Sequence, residues 1–529
     1  EGVPKTTLPT FEHSGVFDDG LDPFPASRPA TTDLARAQGE ALGVQVKPDG
    51  NRRMQPVVNK FFYWLRASRL ETDRVAYWWA NRMLTSPRPL EERMALFWHG
   101  HFATNEEKVR DYRKMLAQLD LFQKQGLGNF RTLLIGVAQD PAMLAFLDAG
   151  VNVKGAPNEN FAREIMELFT MGVGHYGEQD IREAARAFTG WNFRGTAFHI
   201  DADRHDDGPK EVLGRRGRFD GVQVIDIILD QPVTPEFLAS KLYRHFVRED
   251  VDPALAAELG RRLKAVNYEI APFLESIFLS RDFYAPESVA TRIKGPVELL
   301  VSTYRKLGLA EVPGVPDFNE TTSALGQRLM HPPTVAGWAQ GRSWITPGLL
   351  LERGNFALDL VLPDINYIPG DRYPLAQAGY EIRDLHERVR SGQDLTTATK
   401  PGGGAGGMEM MAMSTMNGDR NEDFNTRYGS YRGWQMAVER VKPIPRTVAR
   451  LDLTGMVLGA GCRTPDQAVG YLEGRFLSVP LDAATRGKLS AFLQKELGTA
   501  DLKAAASYAE DPLRVLLHLL LSRPEYQLG

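Results

Sequence analysis

Pro157-Asn158-Glu159-Asn160-Phe161-Ala162-Arg163-Glu164-Ile165-Met166-Glu167-Leu168-Phe169-Thr170-Met171-Gly172-Val173-Gly174 is the stretch on which the fold class turns. Its apolar residues recur three and four apart, the period of a helix. An ordinary surface helix sends its charges to one face. Here three carboxylates and an arginine sit among the apolar positions. Glu159, Arg163 and Glu167 fall at i, i+4 and i+8 and share a face. Glu164 lies one step round from Arg163 and three before Glu167. Such a helix either builds an ion-pair network or lines a polar site.

The same period extends in both directions. It predicts helices over 72–85, 90–103, 106–124, 130–147, 158–171 and 178–189. Further helices are expected over 235–247, 253–265, 270–281, 289–307, 319–330 and 372–392, then 444–459, 465–474, 482–497 and 511–522. Alternation is rare. It is clearest over 191–225, where Trp191, Phe193, Phe198 and Ile200 are followed by turns at Gly214, Gly217 and Gly221. The expected fold is mainly α: a large multi-helical body with a small hairpin-like β insertion near 191–225. Residues 1–50 read as an extended arm and 51–399 as the main helical domain. The Gly/Met-rich stretch 400–420 reads as an insert or linker, and 421–529 as a C-terminal helical portion packing on the body. Within 400–420, Met408, Met410, Met411, Met413 and Met416 suit either a soft Cu(I) ion or adaptable apolar filling.

With 529 residues, the chain is long enough for a sizeable core. Its 43% hydrophobic and 25% charged residues are ordinary for a globular protein. A net charge of −4 and a pI near 6.3 give no electrostatic case for nucleic acid. Arg215, Arg216 and Arg218 form a local basic patch that reads as a solvated loop. Cys462 is the single cysteine, so no intramolecular disulfide and no thiolate metal cluster can form. No apolar run reaches the 18 residues or more of a membrane-spanning helix. The sequence starts at Glu1 without an initiator methionine, which fits either a removed targeting segment or a trimmed sequence; the first, with export, is the expectation.

Three concentrations of polar residues carry the chemistry. The glutamates Glu159, Glu164 and Glu167 offer paired carboxylates for acid/base work, with Arg163 to orient them or hold an anion. The competing reading is a pair of simple i, i+4 ion pairs, Glu159–Arg163 and Arg163–Glu167. In Trp98-His99-Gly100-His101-Phe102 the two histidines diverge by roughly 200° if helical, so they do not share a metal. His101 alone is a candidate for proton transfer or ligation, against a helix-end histidine satisfied by carbonyls. In Asp201-Ala202-Asp203-Arg204-His205-Asp206-Asp207-Gly208, the oxygens of Asp201, Asp203 and Asp207 suit a hard divalent cation such as calcium. His205 and Gly214 occupy places where an EF-hand needs an oxygen ligand and a glutamate, so that motif is rejected. His205 is a further proton-transfer candidate, and a solvated acidic loop is the alternative. Gly172-Val173-Gly174-His175-Tyr176-Gly177 lacks the lysine and strand of a phosphate loop and reads as a helix stop.

Beyond the opening helix, several longer stretches resemble a large bacterial family known as domain of unknown function 1800. They are Phe97-Trp98-His99-Gly100-His101-Phe102, Tyr176 through Trp191, Arg204-His205-Asp206-Asp207-Gly208-Pro209-Lys210 and Ile293-Lys294-Gly295-Pro296-Val297-Glu298. Pro332-Pro333-Thr334-Val335-Ala336-Gly337-Trp338 and Leu521-Ser522-Arg523-Pro524-Glu525-Tyr526-Gln527 also fit. The resemblance implies a mostly helical protein, often exported and often encoded beside a sulfatase-like partner. It carries no catalytic role over, and implies that the polar motifs belong to one place.

The favoured expectation is an extracytoplasmic hydrolase on a polysaccharide or another envelope component. Glu159, Glu164, Glu167, Arg163, His101 and His205 would supply its chemistry, and Trp191, Trp338 and Trp344 flat faces for sugar rings. A non-catalytic envelope binding or scaffold protein with a buried ion-pair network, and a metal-binding protein, are the alternatives.

Overall fold

The computed structural model describes residues 10–16, 55–363 and 426–529. The helix expected over 372–392, the stretch 400–420 with its methionines, and most of the arm 1–50 lie outside the described residues.

Helix α1, Gln55–Thr85, is the spine; at ~1.5 Å per residue it is roughly 46 Å long. Next come α2 (Pro89–His101), α3 (Glu106–Val109) and α4 (Tyr112–Gln125). The helix expected over 106–124 is broken at Arg110, whose φ of 59° ends α3 before Asp111 caps α4. Helices α5 (Phe130–Ala138) and α6 (Pro141–Phe146) split at Asp140, which caps Met143 N–H at 2.9 Å. Then follow α7 (Asn160–Met166), a π-helical turn (Glu167–Met171) and α8 (Glu178–Ala187).

The β insertion is present as two antiparallel hairpins. Strand β1 (Trp191–Arg194) pairs with β2 (Ala197–Ile200), and β3 (Lys210–Val212) with β4 (Arg215–Gly217). The second hairpin turns through Leu213 and Gly214, both at positive φ, as a tight two-residue turn demands. Helix α9 (Gly221–Leu229) starts immediately afterwards, inside the range read as strand. Asp220 and Gln223 cap it reciprocally, at 2.8 and 3.0 Å.

The remaining helices are α10 (Val233–Phe246), α11 (Pro253–Ala265), α12 (Ile270–Phe278), α13 (Pro296–Leu307) and α14 (Phe318–Ala324). After these come α15 (Pro347–Val361), α16 (Thr426–Arg440), α17 (Leu453–Gly459), α18 (Pro465–Phe476), α19 (Ala483–Leu497) and α20 (Glu510–Leu521). Neither α15 nor α16 was expected from the periodicity. Helix α16 lies along α1, and Gly433 makes the approach possible: a Cβ there would stand 2.6 Å from the backbone of Phe62. Trp64, Trp79, Trp98 and Trp434 are fully buried in one continuous core. No helix among the described residues is long and apolar enough to cross a membrane.

Motif stretches far apart in sequence meet in pairs. Residues 292–294 are zipped to 527–529. Lys294 N–H donates to Gln527 O at 2.9 Å and Gly529 N–H to Arg292 O at 2.7 Å. Lys294 Nζ donates to Tyr526 O at 2.7 Å and lies 4.3 Å from the centre of that ring. Arg353, buried, donates to Trp344 O, Gln527 Oε1 and Lys294 O. Gly100 of α2 meets Gly337 in the same way, backbone against backbone.

Candidate functional site

Helix α7 does not run on as α-helix. Thr170 Oγ donates to Ile165 O at 2.6 Å and Met166 O at 3.1 Å, and Gly172 N–H reaches back five residues to Glu167 O at 2.9 Å. The added residue per turn makes a π-bulge, a feature often found at functional positions.

This geometry dissolves the expected ion-pair ladder. Glu159 stands at the N-cap position, makes no side-chain capping bond, and faces Arg182 of α8 at 3.7 Å. Arg163 turns to Glu178 and donates to both carboxylate oxygens, at 3.0 and 2.8 Å. Glu167 accepts a hydrogen bond from the Tyr176 hydroxyl. The Glu159–Arg163 and Arg163–Glu167 pairs are therefore replaced by bonds to residues 176–182. Glu164 is half-buried and has no hydrogen-bond or ion-pair partner among the described residues. Burial, then the negative charge of Glu167, push its carboxyl up, while Arg163 opposes them. Burial and the bond to Glu167 likewise push the Tyr176 hydroxyl up.

The acidic loop is strapped onto α8. Arg186 Nε donates to Asp206 at 2.8 Å, and its Nη1 reaches both Glu183 at 2.7 Å and Pro209 O at 3.1 Å. Asp180 accepts from Leu213 N–H at 2.8 Å, and Glu183 from Glu211 N–H at 3.2 Å. Lys210, buried, donates to the carbonyls of Asp206 and Gly208, at 2.5 and 3.1 Å. His205 Nδ1 donates to Thr189 O at 2.8 Å, and its Nε2 stands 3.8 Å from Asp207. Asp201 faces Arg204 at 3.2 Å, while Asp207 is exposed. Asp201, Asp203 and Asp207 are thus not gathered together. Among the described residues no group of three or more His, Cys, Asp or Glu side chains is placed to hold a metal ion.

The Arg186 hydrogen bond holds the Asp206 carboxyl down to about 2, outweighing the opposing effect of burial. A depressed carboxylate stabilises the fold above its unfolded pKa and loses that contribution as pH falls through the folded one. The pair is therefore expected to contribute about 2 kcal/mol at neutral pH, fading between about pH 4 and pH 2. Melting curves of the wild type and Asp206→Asn across this range check it. Their difference should close at the acid end, and a pH-independent gap would assign the effect elsewhere.

His101 is placed by α2 at the end of the π-bulge. Its Nε2 donates to Phe169 O at 3.0 Å, and its Nδ1 accepts from Lys241 Nζ of α10 at 3.1 Å. Lys241 also donates to Leu168 O at 3.3 Å and stacks 4.8 Å over Phe237. Both side chains thus occupy carbonyls that the helix end leaves unpaired. Burial, then the charge of Lys241, hold the His101 ring well below its usual range. Burial, then Arg244, bring the Lys241 amine down to about 8. Lys241 escaped the sequence reading because its partners lie on other helices; its only local signal is a lysine on a largely apolar face.

His99 points elsewhere, as the helical divergence requires: its Nε2 accepts from Met330 N–H at 3.0 Å. Neither His101 nor His205 is in hydrogen-bond contact with Glu164. The polar motifs lie on the α7–α8 segment and its flanks. The three tryptophans cannot present open faces to a sugar, since Trp191, Trp338 and Trp344 are 2%, 6% and 9% exposed. They are core side chains; Trp191 packs edge-on against Phe188 and Phe198.

A family model described as Protein of unknown function (DUF1800) matches residues 14–528, nearly the whole chain. No curated protein and no solved structure matches.

Proposed function

The chain belongs to the DUF1800 family, and from that premise we propose that it is an exported bacterial enzyme of hydrolytic type, using Glu164 and Glu167 on a polysaccharide or another envelope substrate. The observation that carries this reading is the opposite treatment of two glutamates one turn apart. Glu164 has no partner among the described residues, and burial and the charge of Glu167 push its carboxyl up. Glu167 is fixed as an acceptor by Tyr176. A split of this kind assigns one carboxyl to donate a proton and the other to accept or attack. Neighbours one turn apart have Cβ atoms about 5–6 Å apart, within the span over which paired carboxylates work on one glycosidic bond. Arg163, clamped by Glu178, is held beside them. His101, being buried behind the π-bulge, supports the backbone rather than touching substrate. Export, a saccharide substrate and a sulfatase-like partner enter this reading through the family resemblance.

One observation favours the rival reading of a non-catalytic envelope binding protein. The Arg163–Glu178 and Glu159–Arg182 pairs tie α7 to α8 and use up most of the polar face. Turnover separates the two. Purified wild type is expected to release product from at least one member of a panel of polysaccharides and peptidoglycan. Glu164→Gln should lose ~10²-fold or more of that rate with its circular dichroism unchanged. A wild type inert on the whole panel, or a Glu164→Gln and a Glu167→Gln variant both as fast as wild type, would leave the binding reading in place.

A further inference from the structure

Residues 10–16, the described part of the N-terminal arm, form neither helix nor strand, yet they are seated firmly on the body. Two apolar side chains anchor them. Phe11, 9% exposed, stands edge-on to Trp78 of α1 and Tyr112 of α4, under the Arg74 guanidinium. Val16, 3% exposed, lies beside Tyr63 of α1, whose hydroxyl donates to Val16 O at 3.5 Å. Between the anchors, side chains of α1 read the main chain of the arm. Glu71 accepts from Ser14 N–H at 2.8 Å, and Arg74 donates to Glu12 O at 2.9 Å and to Ser14 Oγ at 2.8 Å. Glu71 and Arg74 are themselves paired at 2.6 Å. Just past α16, Lys442 N–H donates to Ser14 Oγ at 3.0 Å, and the Lys442 amine pairs with the Glu12 carboxylate.

Two features set this segment apart. Among the described residues, no backbone-to-backbone hydrogen bond joins it to the body. It is held instead by side chains in pockets and by side chains on its main chain, the pattern of a bound peptide. Residues 17–54 also stand between it and α1. At ~3.4 Å per residue they can span roughly 130 Å, so the arm of a neighbouring chain can make the same contacts. Only the tether then favours the chain's own arm, through an effective concentration on the order of a millimolar.

We propose that residues 10–16 are an exchangeable arm, and that the groove formed by α1, the start of α4 and Lys442 takes the same segment from a second copy of this chain. The exchange joins copies as chain concentration approaches that of the tether. Charge is complementary across the contact, with Glu12 on the arm and Lys442 on the body. None of the residues of the Glu164–Glu167 reading takes part, so the two stand or fall separately.

Two full-length chains test the proposal, one carrying Glu12→Cys and the other Lys442→Cys. Both positions are exposed, and the native Cys462 is buried. A short bismaleimide joins the introduced thiols wherever arm and groove meet, and peptide mass spectrometry identifies the joined positions. A third chain with both substitutions should cross-link within itself. Mixed at about 1 mM, the first two chains are expected to form a covalent dimer, with a yield about tenfold or more above that at about 10 μM. Adding Phe11→Ala to the Glu12→Cys chain should cut the yield roughly tenfold, with circular dichroism unchanged. A doubly substituted chain that cross-links within itself while the mixture gives no dimer at about 1 mM means that the arm is fixed in its own chain, and overturns the proposal. So does a dimer yield that Phe11→Ala leaves unchanged, or a doubly substituted chain that does not cross-link.

Discussion

Gly337→Ala is expected to destabilise the protein by roughly 2–5 kcal/mol, and Gly100→Ala by almost nothing. Gly337 has φ of +87°, and a Cβ there would lie 2.2 Å from the Gly100 carbonyl oxygen. The left-handed backbone alone costs an L-residue about 1–2 kcal/mol. Forcing a methyl into packed backbone adds about 1–3 kcal/mol. The atom in the way belongs to the main chain of α2, so no side-chain rotation can relieve the contact. Across the same interface, a Cβ on Gly100 would meet the Trp338 ring at 3.5 Å, an ordinary contact. Alanine also suits a helix interior better than glycine by about 0.5–1 kcal/mol. Thermal midpoints of the two variants make the comparison. A Gly337→Ala protein that melts with the wild type would mean that the loop and α2 do not approach so closely.

The second large effect is expected for Glu298→Gln. Glu298 accepts from both terminal nitrogens of Arg292, at 2.8 and 2.5 Å, and pairs with Arg93 at 3.1 Å. Burial alone would push its carboxyl up. The two guanidinium charges overcome this and hold it well below the usual carboxylate range. Glutamine keeps the shape and one acceptor oxygen, but removes the one anion among the described residues that faces both arginines. Breaking a buried pair from one side costs about 3–5 kcal/mol because it strands the remaining charge. The Arg93 side chain is 34% exposed, so the lower end, about 3 kcal/mol, is expected here. His245, buried alongside with Nε2 unpaired, offers no compensation. Denaturant midpoints at pH 7 measure the loss. Equal stability of Glu298→Gln and wild type would show that solvent already screens the trio.

The fold was legible wherever local pattern and burial agree. Helix α8 buries Ile181, Ala184, Ala185 and Ala187, at the spacing the sequence shows, and takes Glu183 in with them. The β insertion was legible because aromatic alternation and glycine turns coincide there. Helix α9 was hidden by the same glycines, although Asp220 and Gln223 spell its cap. Helix α16 contains Gly429 and Gly433 and a weak apolar stripe; it exists because α1 offers a surface, and no local window contains that information. The site shows the same boundary. Which residues are polar on α7 could be read directly, and so could the divergence of His99 and His101. Their partners could not. An i, i+4 pair assumes an unbroken α-helix, and the π-bulge with the nearby α8 redirected Arg163 and Glu167 to Glu178 and Tyr176. Lys241 is invisible from sequence because its bonds to His101 and Leu168 span 140 and 73 residues of chain.

The zipper between residues 292–294 and 526–529 sets a timetable for synthesis. Lys294 and its acceptor on Tyr526 are 232 residues apart. At roughly 5–20 residues per second, a ribosome needs about 10–50 seconds to deliver the second after the first. Throughout that interval Lys294 is present without the carbonyls of Tyr526 and Gln527 that it bonds. The pairing of these two stretches therefore closes only after the intervening helices have been made.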